Sequence, residues 1–202
     1  MNKRILFTAG FILTATVAIV AYSAVTTQTL VGTGADGGGD DEGPWLNASN
    51  ITADDGVPST STIDGAGEDS NFLHGTMGGN QFTIPAGTID GIEFEYEVKA
   101  DDTDVTEKAI YLIIGGSRVG SNKSTNTAYT TGYVVRNRGG VADTWGLTPS
   151  VAQVNATNFG VAVQCFDDGG GRGDKASIDY MKITVTYTPS GGSATNQVRM
   201  IL

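Results

Sequence analysis

The chain has 202 residues, which suits one domain of about 100–150 residues with appendages. Its net charge of −10, from 12 Lys plus Arg against 22 Asp plus Glu, excludes a nucleic-acid binder, because phosphates need clustered cations. Twenty-nine glycines, roughly twice the usual share, and only 17% charged residues point to turn-rich β structure rather than helix.

At the front, Lys3 and Arg4 precede an uncharged run from Ile5 to Val25 that ends in small residues around Ala24. A basic start, an apolar run and a small-residue end read as a secretory signal peptide cleaved after Ala24. The run is also long enough to stay as a membrane anchor, which takes about 20 residues, or to serve as a buried segment in an assembly. A pilin-type helix would carry an early acidic residue, and none is present. Residues 25–44 then read as a linker: a short strand at Val25–Val31 and a flexible acidic stretch from Gly32 to Gly43. Gly32, Gly34 and Gly37 spell a dinucleotide fingerprint, but further glycines and Pro44 follow where that motif must open a helix.

Residues 45–188 read as an all-β domain, an antiparallel β-sandwich or jelly roll with one short helix. Strands are expected near Trp45–Thr52, Asn71–Met77, Gln81–Ile84, Gly91–Ala100, Lys108–Gly115, Tyr129–Arg136, Phe159–Phe166 and Ser177–Tyr187. The Gly91–Ala100 strand alternates strictly. Ile92, Phe94, Tyr96 and Val98 face a core, while Glu93, Glu95, Glu97 and Lys99 face away. Ala109 to Ile114 is apolar on both faces, as in a covered sheet interior. The last strand shifts parity, since Ile178 and Tyr180 are even but Met181, Ile183, Val185 and Tyr187 are odd, which calls for burial on both faces or a bulge. The helix is placed at Thr148–Asn155, capped by Thr148 with Pro149 at its first position. Trp145 is expected to plug one end of the core. Residues 189–202 read as a flexible tail.

Five motifs in order carry a family resemblance: F-x-I-P-x-G-x-I-x-G-I from Phe82 to Ile92, GSNK at Gly120–Lys123, DTWGL at Asp143–Leu147, VNATNFGV at Val154–Val161, and ASIDY from Ala176 to Tyr180 leading to Val185–Tyr187. This order resembles a β-sandwich domain that recurs in bacteriophage tail and virion surface proteins and in secreted bacterial surface proteins. The resemblance spans Trp45 to Tyr187. It implies a structural or binding module without catalytic residues, partnered by other copies of itself or by a capsid or filament scaffold.

The chemical inventory is sparse. One histidine, His74, and one cysteine, Cys165, lie about ninety positions apart, with no G-x-S-x-G elbow and no H-x-x-x-H or C-x-x-C pair. His74 reads as a turn or surface residue and Cys165 as a buried small apolar one that no internal disulfide can use. The acids Asp101, Asp102, Asp104, Asp167 and Asp168 sit on loops where carboxylates can ligate calcium, although the EF-hand pattern is missing. No other cofactor is expected. Arg172 and Asp174 bracket an Arg-Gly-Asp tripeptide on a glycine-rich turn. Tyr129, Tyr133 and Trp145 are candidate sugar-stacking aromatics. Val198, Met200, Ile201 and Leu202 form an apolar terminus suited to packing on another copy.

The leading expectation is therefore a non-enzymatic structural protein displaying one β-sandwich on a virion surface or extracellular assembly. The alternative is a secreted or anchored carbohydrate-binding or adhesion module that meets surface glycans. A pilus-like subunit ranks third.

Overall fold

A computed structural model describes residues 24–25, 29–38, 43–169 and 173–190, the first pair as backbone only. The apolar run before Ala24 and the tail bearing Val198, Met200, Ile201 and Leu202 lie outside the described residues, as does Arg172. Among the described residues, no helix is long and apolar enough to cross a membrane.

The polypeptide forms two antiparallel sheets around one core. The strands are β1 (Ala24–Val25), β2 (Thr29–Leu30), β3 (Thr33–Asp36), β4 (Trp45–Leu46), β5 (Ser59–Ile63) and β6 (Leu73–Thr76). They continue with β7 (Gly87–Ala100), β8 (Val105–Ile114), β9 (Ser117–Val119), β10 (Val134–Gly140), β11 (Gly160–Asp167) and β12 (Asp174–Pro189), with one helix, α1 (Val151–Val154), before β11. The larger sheet runs β10-β7-β12-β5-β4, with β1 and β2 also paired to β12. The smaller runs β3-β6-β11-β8-β9. This is the β-sandwich expected from the alternating strands.

The pattern of β7 dictates its place. Ile92, Phe94, Tyr96 and Val98 are completely buried, and the intervening glutamates lie on the outer face. At roughly 1.5–3 kcal/mol per buried large apolar side chain, this strand and its neighbour β12 hold much of the core. β12 pairs with β7 from Ala176 to Pro189, and its register slips between Ile178 and Met181. Two residues, Asp179 and Tyr180, therefore stand opposite Glu97 alone. The parity shift in the sequence is this bulge, which returns Met181 to the core and leaves both extra side chains on the outer face.

Several expected elements differ. Gln81–Ile84 forms no strand: Phe82 and Ile84 are buried, but Ile84 pairs with the side chain of Asn155, whose Oδ1 accepts from the Ile84 N–H at 3.0 Å and whose Nδ2 donates to its carbonyl at 2.9 Å. A side-chain amide here replaces a strand partner. The Trp45–Thr52 strand stops after Leu46 and gives way to a 3-10 turn at Ala48–Ile51. The strand placed at Tyr129–Arg136 starts later, at Val134, and runs to Gly140. The helix is shorter than expected, and its cap is Ser150 rather than Thr148: Ser150 Oγ accepts from the Gln153 N–H while Gln153 Oε1 accepts from the Ser150 N–H. Inside the stretch expected to be a linker, Thr33–Asp36 is an edge strand on β6 and Val31 is completely buried.

Trp145 fills the core as expected, with no exposure. It does so from a left-handed backbone conformation, φ 61°, that non-glycine residues rarely take. Asp143 Oδ1 accepts its N–H at 2.8 Å, and its indole N–H donates to the Ile92 carbonyl at 2.9 Å. Gly139, itself at φ 76°, leaves room for the ring, since a Cβ there would lie 2.7 Å from Nε1.

The two sheets are cross-linked by a buried charge. Glu107 points inward from β8 without exposure, and Arg138 from β10 holds it with both Nε (2.9 Å to Oε2) and a terminal nitrogen (2.7 Å to Oε1). The Tyr96 hydroxyl donates to the same carboxylate, and the Thr125 N–H adds a bond of 2.8 Å.

Candidate functional site

The outer face of the smaller sheet carries the surface best suited to bind a ligand. Ala35, His74, Ala162 and Tyr111 lie side by side across β3, β6, β11 and β8. Alternation sends these outward, because their neighbours Leu73, Val161, Val163, Ile110 and Leu112 are core. Phe72, just before β6, joins this face. Its ring lies 6.3 Å from that of Tyr111, tilted by 44°. Both rings are half-buried. The guanidinium of Arg118, an exposed residue of β9, lies 3.8 Å above the Phe72 ring centre.

His74, expected in a turn or at the surface, completes this face from within a strand. It is a strand residue, half-buried, and its Nε2 has no hydrogen-bond partner. Burial pushes its pKa down, the Arg118 charge pushes it further, and Asp36 opposes both. The ring is thus held neutral at physiological pH. Cys165 lies on the opposite, inward face of the same sheet, so the two residues cannot act as a catalytic couple. Its thiol is completely buried, donates to the Tyr129 hydroxyl at 3.6 Å, and is pushed up to about 12 by burial. The folded protein should therefore leave Cys165 unreactive toward a thiol reagent at about pH 8, with reaction only on unfolding. Fast labelling of native protein would place the thiol at the surface.

Two of the expected stacking aromatics are withdrawn. Tyr129 is 1% exposed and Trp145 is wholly enclosed, so neither can meet a sugar. Tyr129 is flanked in the sequence by polar residues such as Thr127 and Thr130, which do not announce its burial. It is drawn inward by packing near Cys165 and Tyr96, and burial raises its hydroxyl well above its ordinary value. Tyr133 is half-buried, with the Lys99 ammonium 4.4 Å from its ring centre. The stretch Ala109–Ile114 is expected to be covered on both faces, but Tyr111 is only half-buried; the signal in the sequence is that Phe72 and Tyr111 each sit beside core residues, Leu73 in one case and Ile110 and Leu112 in the other.

The loop acids converge at one end of the sandwich. Asp101 Oδ1 accepts from the Lys175 N–H at 2.5 Å, and the Asp168 N–H donates to the Asp104 carbonyl at 3.0 Å. Asp167 is buried, with Oδ1 accepting from the Gly169 N–H at 2.8 Å. Asp174 feels this grouping: burial raises its pKa first, then the charges of Asp167, Asp101, Asp102 and Asp104. Another acidic group is tighter. Asp54, Glu97 and Asp179 each offer a carboxylate oxygen, and those oxygens lie within 4.8 Å of one another. Sequence reasoning missed this group, whose members are distant in the chain and joined by the bulge.

Fold and surface together define a β-sandwich with an aromatic sheet face. No protein family matches the sequence, and no curated protein matches it. Among solved structures, a family 4 carbohydrate-binding module is 14% identical over 77% of this chain and 92% of its own, with a TM-score of 0.41. The N-terminal cellulose-binding domain of a Cellulomonas fimi β-1,4-glucanase is 13% identical over 77% and 95%, with a TM-score of 0.37. A family 15 xylan-binding module is 13% identical over 85% and 99%, also at 0.37. Likeness at this identity and score adds nothing on function.

Proposed function

We propose that this protein is a non-catalytic binding module that takes a carbohydrate on the Phe72–Tyr111 face of its smaller sheet. The observation that carries this reading is the half-buried Phe72–Tyr111 pair, with Arg118 stacked on Phe72. Sugar rings present C–H faces that pack on aromatic rings, and their hydroxyls accept from a guanidinium. The placement of His74 and Cys165 on opposite sheet faces supports the non-catalytic part. The sequence resemblance supports display outside a cell or on a virion, with the segments before Ala24 and after Ser190 as attachments. A mature protein starting at Val25 would establish export and cleavage.

The test is calorimetric titration of the protein with soluble cellulose derivatives, xylan and galactan. Binding to at least one is expected, with Phe72→Ala and Tyr111→Ala each weakening it about tenfold or more, as for a central aromatic contact. Absence of binding across the panel, or unchanged affinity in the double variant, would remove this reading.

A further inference from the structure

We propose that Asp54, Glu97 and Asp179 form a divalent-cation site, suited to calcium, on the outer face of the larger sheet. The three residues come from different parts of the fold. Glu97 is a half-buried outward residue of β7, Asp179 is one of the two bulge residues facing it on β12, and Asp54 is an exposed residue of the loop between the Ala48–Ile51 turn and β5. Their ligand oxygens lie within 4.8 Å of one another. Two oxygens at about 2.3–2.6 Å from a shared calcium ion lie up to about 4.6–5.2 Å apart, so each pair of these carboxylates is within reach of one ion.

The independent observation is Asp179. It is 1% exposed, and its Oδ2 accepts from the Gly56 N–H at 3.1 Å, but its buried Oδ1 has no partner. A buried carboxylate oxygen without a donor costs free energy that a bound cation would repay. No ion pair among the described residues includes Asp54, Glu97 or Asp179. Lys99, two residues along β7 from Glu97, is seated over Tyr133 instead. Burial raises the Glu97 pKa, and the Asp179 and Asp54 charges raise it further, as expected for carboxylates crowded without a counter-ion. All donors are hard oxygens, which favours calcium over zinc, and the exposed Asp54 side leaves room for water to complete the six to eight ligands calcium takes. The bulge is what makes the site possible, since regular pairing would not set both Asp179 and Tyr180 against Glu97.

The experiment uses the full chain freed of metal by a chelator, followed by thermal unfolding with and without about 10 mM calcium and, separately, magnesium. Terbium luminescence excited through tyrosine supplies a direct reading, Tyr133 and Tyr180 being neighbours. Calcium should raise Tm by about 3–10 °C, as a dissociation constant of about 0.1–1 mM implies. Glu97→Gln, a half-exposed change that spares the core, should abolish both the shift and the terbium signal. The combined variant Asp101→Asn, Asp104→Asn should keep both. No calcium shift and no terbium signal in the unaltered protein would overturn the proposal. So would a response that survives Glu97→Gln but is lost in the Asp101 and Asp104 variant, which would move the ion to the loop acids.

Discussion

Glu107→Ala should lower the stability of the folded protein by about 3–5 kcal/mol, the usual cost of removing one partner from a buried ion pair. Glu107 is wholly enclosed and Arg138 is only 14% exposed at its side chain. Removing the carboxylate strands a guanidinium between the sheets and deprives the Tyr96 hydroxyl and the Thr125 N–H of their acceptor. The double variant Glu107→Leu, Arg138→Leu should recover much of the loss, because apolar packing often replaces such a pair at little cost. Urea denaturation followed by tyrosine and tryptophan fluorescence reads both. An unchanged midpoint for Glu107→Ala would show that the carboxylate is hydrated and that the sheets do not depend on it.

Trp145→Ala should cost a similar amount, about 3–5 kcal/mol, through the cavity left by a completely buried aromatic. Its distinguishing companion is Trp145→Phe. That change keeps most of the ring but leaves the Ile92 carbonyl without the indole N–H, a penalty of about 1–3 kcal/mol. If thermal unfolding shifted by no more than a degree or two in the alanine variant, Trp145 would have to lie at the surface and would return as a ligand-stacking residue.

The sandwich was legible wherever burial follows apolar alternation. β7 announces its inward and outward residues one by one, and the bulge in β12 is visible as a change of parity at Met181. β5 was invisible for the opposite reason. Its inward residues Ser59 and Ser61 are completely buried, and their hydroxyls donate to the carbonyls of Leu46 and Gly43, so hydrogen bonding replaces the apolar signal. β3 is hidden by its glycine and aspartate, residues that weaken a strand on their own and are held here by pairing to β6. The candidate surfaces were legible only in part. The loop acids around Asp167 do gather, but the Asp54, Glu97 and Asp179 group arises from strand register, which no local spacing encodes. Tyr129 fails as a sugar-stacking residue because its neighbours in space are Cys165 and Tyr96, which the polar residues beside it in the sequence do not announce.

The pairing of Ala24 with Tyr187 has a consequence for how the domain is presented. Ala24 and Pro189 lie close together, with Gly87, at one pole of β7 and β12. The loops holding Asp101, Asp102, Asp104, Asp167 and Asp168 close the other pole, where Ala100 meets Ala176. The described sandwich therefore has one pole where its first and last strands meet and an acidic pole opposite. Were the domain held at the pole of its first and last strands, the acidic pole would face away from the support and repel anionic polymers and like-charged neighbours within about 8 Å in physiological salt. Copies fixed in this way to a common support would keep their acidic poles apart and leave the sheet faces between them open to solvent.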